Sequence, residues 1–265
     1  MYGNLGKVEN KGLDFSIDYV KRFNNDFDMS FKGTFTYAHN KVLEYDEPDF
    51  QKYPNISRVG HSVDQQLLYI AERLFIDDSE VQRNPKQNLG GWGSGGDIKY
   101  KNLPDVNGNY DNVIDSNDRQ YTGMPTTPEI VYGFGPSFRY KKFDFSFFFQ
   151  GAARVSIMMN GIHPFGAEGT RNVLQFIADD YWSETNQNIY AEYPRLSKRD
   201  NENNTKASTY WQRNGAFLKL KNLEVGFNHK FFRVYLRGSN LLTFSPFKYW
   251  DPEMGSGSGL SYPTQ

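Results

Sequence analysis

Oxygen-bearing side chains recur at every second position in one short stretch: Asp105, Asn107, Asn109 and Asp111, with Asp115 and Asp118 beyond. Alternate oxygen ligands followed by a later carboxylate suit a hard cation, and Ca²⁺ takes about 6–8 oxygens. Asp105, Asn107, Asn109, Asp111 and Asp118 are therefore the candidate metal ligands, with Ca²⁺ as the candidate ion. The competing reading is a polar surface loop built from Asx turns. Asp179, Asp180 and Glu184 are carboxylates that glycoside cleavage would require in a facing pair. They fall at or after the end of a helix-like stretch and read as solvated loop charge. His39, His61, His163 and His229 are scattered with no i, i+4 pair, which offers neither a metal nor a catalytic site. Gly90–Gly96, interrupted by Trp92 and Ser94, reads as flexible. A phosphate cradle would need a strand before it and a helix after it, and neither is evident. Trp92, Trp182, Trp211 and Trp250 all fall in long connections; Trp211 would stack on a sugar or peptide, or pack against a loop or partner. No residue set here does enzyme chemistry.

The elements that must position these residues are strands. Leu13, Phe15, Ile17 and Tyr19 alternate with Asp14, Ser16 and Asp18. Phe27, Met29, Phe31, Phe35 and Tyr37 alternate with Asp28, Ser30, Lys32, Thr34 and Thr36. Successive strand residues face opposite sides, so each segment has one greasy face and one wet face. Four more such segments follow, giving six at about 12–20, 27–42, 128–140, 143–157, 215–228 and 231–242. Each is near the roughly 9–11 residues that a tilted strand needs to cross a bilayer. Asp14, Asp18, Lys32, Arg233 and Arg237 belong on the wet side, since arginine facing mid-bilayer costs about 2–4 kcal/mol. Leu218 and Leu220 break parity with Leu223, Val225 and Phe227, which predicts a bulge near Lys221-Asn222.

Connections alternate in length. Short ones sit at Lys21–Asp26, Lys141-Lys142 and His229-Lys230; long ones run over about 43–127 and 158–214. Short turns on one side and long loops on the other are how outer-membrane barrels are built. Within the long loops, Gln65–Phe75 and Asp97–Lys101 read as an outer hairpin, and Arg171–Tyr181 as a short helix with Leu174, Ile177, Ala178 and Tyr181 at helical spacing. The fold class expected is all-β: an antiparallel transmembrane β-barrel segment with long extracellular loops. Six strands do not close a large cylinder, so residues 1–265 read as the C-terminal part of a longer chain. Plug, N-terminal strands, signal peptide and a closing strand are expected to lie outside it.

Composition agrees. Phe and Tyr dominate an aromatic content of 17%, which fits aromatic girdles at a membrane interface. A mean hydropathy of −0.71 suits a barrel, in which only alternate residues meet lipid. A net charge of −1 gives no attraction for nucleic acid. The chain has no cysteine, which removes disulfides and thiolate chemistry. No apolar run reaches the roughly 18 residues of a transmembrane helix.

Several phrases, in order, resemble the C-terminal part of the SusC/RagA-type TonB-linked outer-membrane proteins of Bacteroidetes. They are Gly96-Asp97-Ile98-Lys99-Tyr100, Asp105-Val106-Asn107-Gly108, Val113 to Arg119, Tyr121-Thr122-Gly123, Phe149-Gln150-Gly151, Tyr193-Pro194-Arg195-Leu196 and Ser208-Thr209-Tyr210-Trp211. Phe217 to Gly226 looks like that family's YLRLKNLELGY, and Ser239 to Thr243 and Asp251-Pro252-Glu253 follow. The resemblance implies a plugged barrel of about 22 strands in the outer membrane. It implies import of glycan or peptide fragments driven by the TonB complex, with a SusD-like lipoprotein as lid and outer-membrane lipids around the barrel. The family's acidic phrase is tighter, Asp-x-Asn-Gly-Asp-Gly; here Tyr110 stands at the expected glycine, with about two residues inserted. Two other readings compete. One is a soluble or surface β-rich glycan-binding module without transport, with its aromatic faces in a core; the other is a secreted β-fold glycosidase.

Overall fold

The structure is a computed structural model that describes residues 5–91, 93–159, 162, 172–198 and 201–255. Six long strands form one antiparallel sheet in the order of the chain. They are β1 (Lys7–Arg22), β2 (Phe27–Glu44), β3 (Ile130–Tyr140), β4 (Phe143–Ala153), β5 (Phe217–Asn228) and β6 (Arg233–Phe244). All six expected segments are strands. The first is longer than its alternation suggested. The fourth ends at Ala153, and Ser156–Met158 leaves the sheet to pair with Gln212–Asn214.

The register carries the two-faced pattern from strand to strand. Phe15 lies opposite Phe35, Phe35 opposite Tyr132, and Tyr132 opposite Gly151. Phe145 lies opposite Val225, and Val225 opposite Leu236. The expected bulge is present: Phe148 pairs with Asn222 and Phe149 with Leu220, so Lys221 is the extra residue. The slip returns Leu220 and Leu218 to the side that carries Leu223 and Val225, and one apolar face therefore runs unbroken across the sheet.

That face is not covered. Phe15 is 55% exposed and Leu236 79%, and Tyr19, Phe143, Val234, Leu242 and Phe244 are likewise exposed. The aromatic stripes are thus outside any packed core among the described residues, against the soluble-module expectation. The sheet is open, with β1 and β6 at its edges, and no closed barrel is formed.

The fully buried side chains lie elsewhere. Leu68, Leu74, Ile98, Tyr100, Ile114, Ile157, Met159, Ile177 and Trp211 form one cluster in the two long connections. Of the largest fully buried side chains, Lys219 alone belongs to the six-stranded sheet. The long connections therefore fold onto each other as a layer with its own core. Short strands frame it: Gln66–Tyr69 pairs with Arg119–Thr122, and Ala71–Leu74 with Ile98–Tyr100. The expected outer hairpin is half correct, because Arg119–Thr122 takes the first half of the Gln65–Phe75 stretch. The expected helix over Arg171–Tyr181 shrinks to Gln175–Asp179; Arg171 lies outside the described residues.

Candidate functional site: the polar sheet face and the loop layer

On the wet face, Asp14 lies opposite Thr36, Asp18 opposite Lys32, and Arg237 opposite Glu224. The charges expected to share a side do share it, and they pair across strands. Arg139 Nε donates to Asp28 Oδ1 at 2.6 Å, and Arg233 Nη2 to Glu224 Oε1 at 2.6 Å and also to Asp144. Arg237 Nη2 donates to Asn222 Oδ1 at 2.9 Å. Phe148 sits on this wet side by parity, where alternation alone predicts a polar residue. Its ring fills the notch over Gly133, whose added Cβ would stand 2.8 Å from it. At the long-connection end, Lys219 Nζ donates to Asp251 Oδ1 at 2.7 Å and to Glu253 Oε2 at 2.7 Å, and Lys221 Nζ to Glu253 Oε1 at 2.8 Å. Lys219 and Lys221 of β5 therefore strap the segment after β6 back across the sheet.

The short turns end in aromatic rings, with Phe27 near Tyr140 at 6.4 Å and Phe143 near Phe227 at 5.1 Å between centroids. Each turn also lays an ammonium over a ring: Lys21 over Phe23, Lys141 over Tyr140 and Lys230 over Phe231, at 5.0, 5.5 and 5.4 Å. A flat ring beneath a cation is amphipathic, which suits the boundary between hydrocarbon and water.

In the loop layer, a buried polar knot joins the two long connections. Arg195 grips Asp97 through Nε at 2.7 Å and Nη2 at 3.2 Å, and Asn204 Nδ2 donates to Asp97 Oδ1 at 2.9 Å. Ile98 N donates to Asn204 Oδ1 at 3.0 Å, and Trp211 Nε1 to the Asn204 carbonyl at 2.8 Å. Trp211 is thus a core residue, not a platform. The glycine run is packed rather than flexible: Gly96 holds φ +80°, and a Cβ there would fall 2.2 Å from the Trp182 ring. Trp92 lies outside the described residues.

The acidic stretch is an exposed loop tied to itself. Asp105 Oδ1 accepts from Asn107 N and Asn109 N, both at 2.9 Å, and Asp111 Oδ1 accepts from Val113 N at 3.0 Å. The Asn109 N–H holds the Asp105 carboxyl below its ordinary range. Asp118 is only 2% exposed and accepts from Leu103 N at 2.6 Å and Asp115 N at 2.7 Å. Burial pushes its carboxyl up despite those donors. Asp105 gathers Asn107 and Asn109, while Asp118 staples the neighbouring turn. Among the described residues no group of three or more acidic or histidine side chains stands close enough to hold an ion.

The remaining candidates are structural. Asp180 accepts from Glu192 N at 3.1 Å, and Asp179 from Gln175 Nε2 at 2.6 Å. His39 meets Glu129 at 2.5 Å, His61 stacks on Tyr121, and His229 stacks on Phe232; His163 lies outside the described residues.

No protein-family model matches the chain. Curated relatives do. The TonB-dependent receptors P3 and P26 of Formosa agariphila are 27% and 29% identical over 94% and 97% of this chain. The TonB-dependent receptor SusC of Bacteroides thetaiotaomicron is 24% identical over 97% of it. The chain spans about a quarter of the length of these relatives, 26% of each Formosa receptor and 25% of SusC. Among solved structures, the RagAB peptide transporter superposes with a TM-score of 0.68 at 20% identity, covering 98% of this chain and 29% of that one. These relatives are receptors and transporters rather than enzymes. The order of motifs, the curated relatives and the superposed fold agree, and the resemblance of this chain to TonB-dependent receptors of the SusC/RagA type is shown.

Proposed function

We propose that the chain is the C-terminal barrel segment of an outer-membrane, TonB-dependent importer of glycan or peptide fragments. The aromatic face meets acyl chains, the charged face lines a hydrated bore or touches a plug, and the loop layer stands on the outside. A SusD-like surface lipoprotein closes over the loops as a lid, and the TonB complex pulls through a part of the protein outside this chain. The mechanism is gating, with no covalent step. The observation that carries the reading is the apolar face, kept in phase across six strands by the bulge at Lys221 and left uncovered. An exposed apolar surface of that extent marks contact with a partner or with lipid.

Residues 1–265 hold no cysteine, so single cysteines placed in them test this directly in the full-length protein in outer membranes, with any cysteine outside these residues replaced by serine. Positions 32 and 144 should react with a membrane-impermeant maleimide once the bore is open to it. Positions 17 and 145 should react only with a lipid-partitioning reagent, and equal labelling of both sets by the impermeant reagent defeats the reading.

A Ca²⁺ ion held through Asp105, Asn107, Asn109 and Asp111, with Asp118 behind them, belongs to the same proposal. It is supported by the spacing of oxygens alone.

A further inference from the structure

The three short turns form one stitched row. Lys141 N donates to the Asp26 carbonyl at 2.6 Å, which joins the β3–β4 turn to the β1–β2 turn. Asn228 N donates to the Lys142 carbonyl at 2.7 Å, which joins the same turn to the β5–β6 turn. The row is basic. Asp28 pairs with Arg139, and Asp144 with Arg233. Lys21, Arg22, Lys141, Lys142 and Lys230 enter no ion pair among the described residues, and the carboxylate left beside them is Asp26. Lys141 is also held at φ +53°, a left-handed conformation that tight hairpin turns give to Asn or Gly. A lysine there places a charge at the tip against the preference of the backbone, and such positions gather at functional sites.

The row borders the apolar face. Lys21 lies opposite Met29, and Met29 opposite Phe138, so the register puts Lys21 on that face, near the aromatic rim. Phe23 and Phe231, in the same turns, are 49% and 81% exposed. Further along β2 from Met29, Gly33 lies between Ile17 and Phe134 and interrupts the aromatic stripe. The interruption is an apolar hollow of about 470 Å³ walled by Phe15, Ile17, Phe31, Phe35 and Phe134. At about 3.4 Å per residue and a tilt of about 45°, it opens about 10 Å deeper than Lys21. One leaflet spans about 15 Å, half of a hydrocarbon core about 30 Å thick, so the hollow is within reach of a chain whose headgroup lies at the row.

We propose that this edge of the sheet is a binding site for an anionic phospholipid of the periplasm-facing leaflet. The headgroup phosphate sits on Lys21, Lys141 and Lys142, and one acyl chain lies in the hollow over Gly33. Charge selects the occupant, because basic groups at a membrane surface attract anionic lipid, whereas a zwitterionic headgroup brings its own cation. The hollow selects it again: an acidic protein segment meets the same lysines but has nothing to place among five apolar side chains on the membrane side. The inference rests on the reading of the aromatic face as lipid-facing. It goes beyond import, since the site neither holds nor moves a substrate.

The test is native mass spectrometry of the full-length protein, stripped of lipid in detergent and titrated with dioleoylphosphatidylglycerol, dioleoylphosphatidylcholine or hexaglutamate. The first phosphatidylglycerol should bind at least about fivefold more tightly than the first phosphatidylcholine, the order of one lysine–headgroup contact. K21Q combined with K141N and K142Q should erase that difference. Asparagine suits the left-handed position, so this variant should keep the gel mobility of the folded form. K52Q combined with K86Q and K101Q changes the net charge as much in the long connections and should leave the difference in place. G33A and G33V should weaken both lipids alike, the valine more. Equal affinity of the unaltered protein for the two lipids overturns the proposal. So does a preference that survives the first triple variant or falls equally in the second, undiminished binding in G33V, or binding of hexaglutamate with neither lipid. Equal binding of both lipids leaves the lipid-facing reading standing, whereas labelling of position 17 by the impermeant maleimide defeats that reading whichever lipid is bound.

Discussion

Replacing Phe147 by arginine tests the sidedness of the sheet at one position. Phe147 lies four residues in from Phe143, where the aromatic rim of β4 begins. At about 3.4 Å per residue that is about 14 Å along the strand. With a tilt of about 45° it is about 9–10 Å deep in an apolar band about 25 Å tall, close to the midplane. Arginine facing lipid there costs about 2–4 kcal/mol, or about a 30- to 700-fold loss in the folding equilibrium. Ser146, one residue earlier, faces the charged side, pairs with Glu224 on β5 and Ser137 on β3, and should accept arginine within about 0.5 kcal/mol. The assay is urea unfolding of the full-length protein in phospholipid vesicles, read by the gel-mobility difference between folded and unfolded forms. If F147R and S146R lose stability equally, or the order reverses, the assignment of faces is wrong.

Deleting Lys221, the extra residue, leaves Phe148 opposite Asn222 and Phe149 opposite Leu220 in a regular ladder with Leu218 and Leu220 still on the apolar side, so the deletion variant should fold into vesicles. Deleting Leu223 instead shifts the parity of one half of β5 against the other and should abolish folding; equal folding of the two deletion variants refutes the phase argument. Asp118→Ala leaves the N–H groups of Leu103 and Asp115 without an acceptor and should cost about 1–3 kcal/mol, seen as faster protease cleavage between 101 and 123. The Arg73 hydrogen bond lowers the Glu80 carboxyl to about 2. A depressed carboxyl stabilises above its ordinary value of about 4.5, so protection from hydrogen exchange around Asp78–Arg83, referred to the rate of an unstructured chain at the same pH, should hold at neutral pH and fall as pH falls from about 4.5 towards 2. Calcium titrated into the full-length protein should release heat that D105N with D111N removes; no heat ends the cation proposal.

What the sequence made legible was whatever has a period. Six strands, their faces and the slip at Lys221 follow from parity, because a strand has one rule of alternation and a bulge breaks it visibly. Phe148 was not legible, since its place on the wet face depends on a missing side chain at Gly133, on a neighbouring strand. The loop layer obeys no period. Its core is made by pairings such as Leu67 with Tyr121 and Asp97 with Arg195, and nothing local to either partner announces them. The Gly90–Gly96 run misled for the same reason: flexibility was inferred from composition, whereas packing was decided by distant partners such as Trp182; for Trp211 the packed alternative of the two left open is the one the fold realises. In the candidate site, the shared side of Asp14, Asp18, Lys32, Arg233 and Arg237 was legible from alternation, whereas their partners depend on the register between strands, which no single segment carries.

The knot between Asp97, Arg195 and Asn204 joins residues 98 and 107 positions apart. The pairing of β2 with β3 spans as much chain, from Tyr37 with Ile130 to Phe27 with Tyr140, and the knot further needs the second long connection, which follows β4. Distant pairings close slowly because the entropy of closure is spent before the contacts form. During biogenesis the outer layer sets only once both of the long connections that build it are present. Until then Leu68, Ile98, Ile177 and Trp211 travel unshielded, and the nascent protein needs an escort for exactly the segments that end up best hidden.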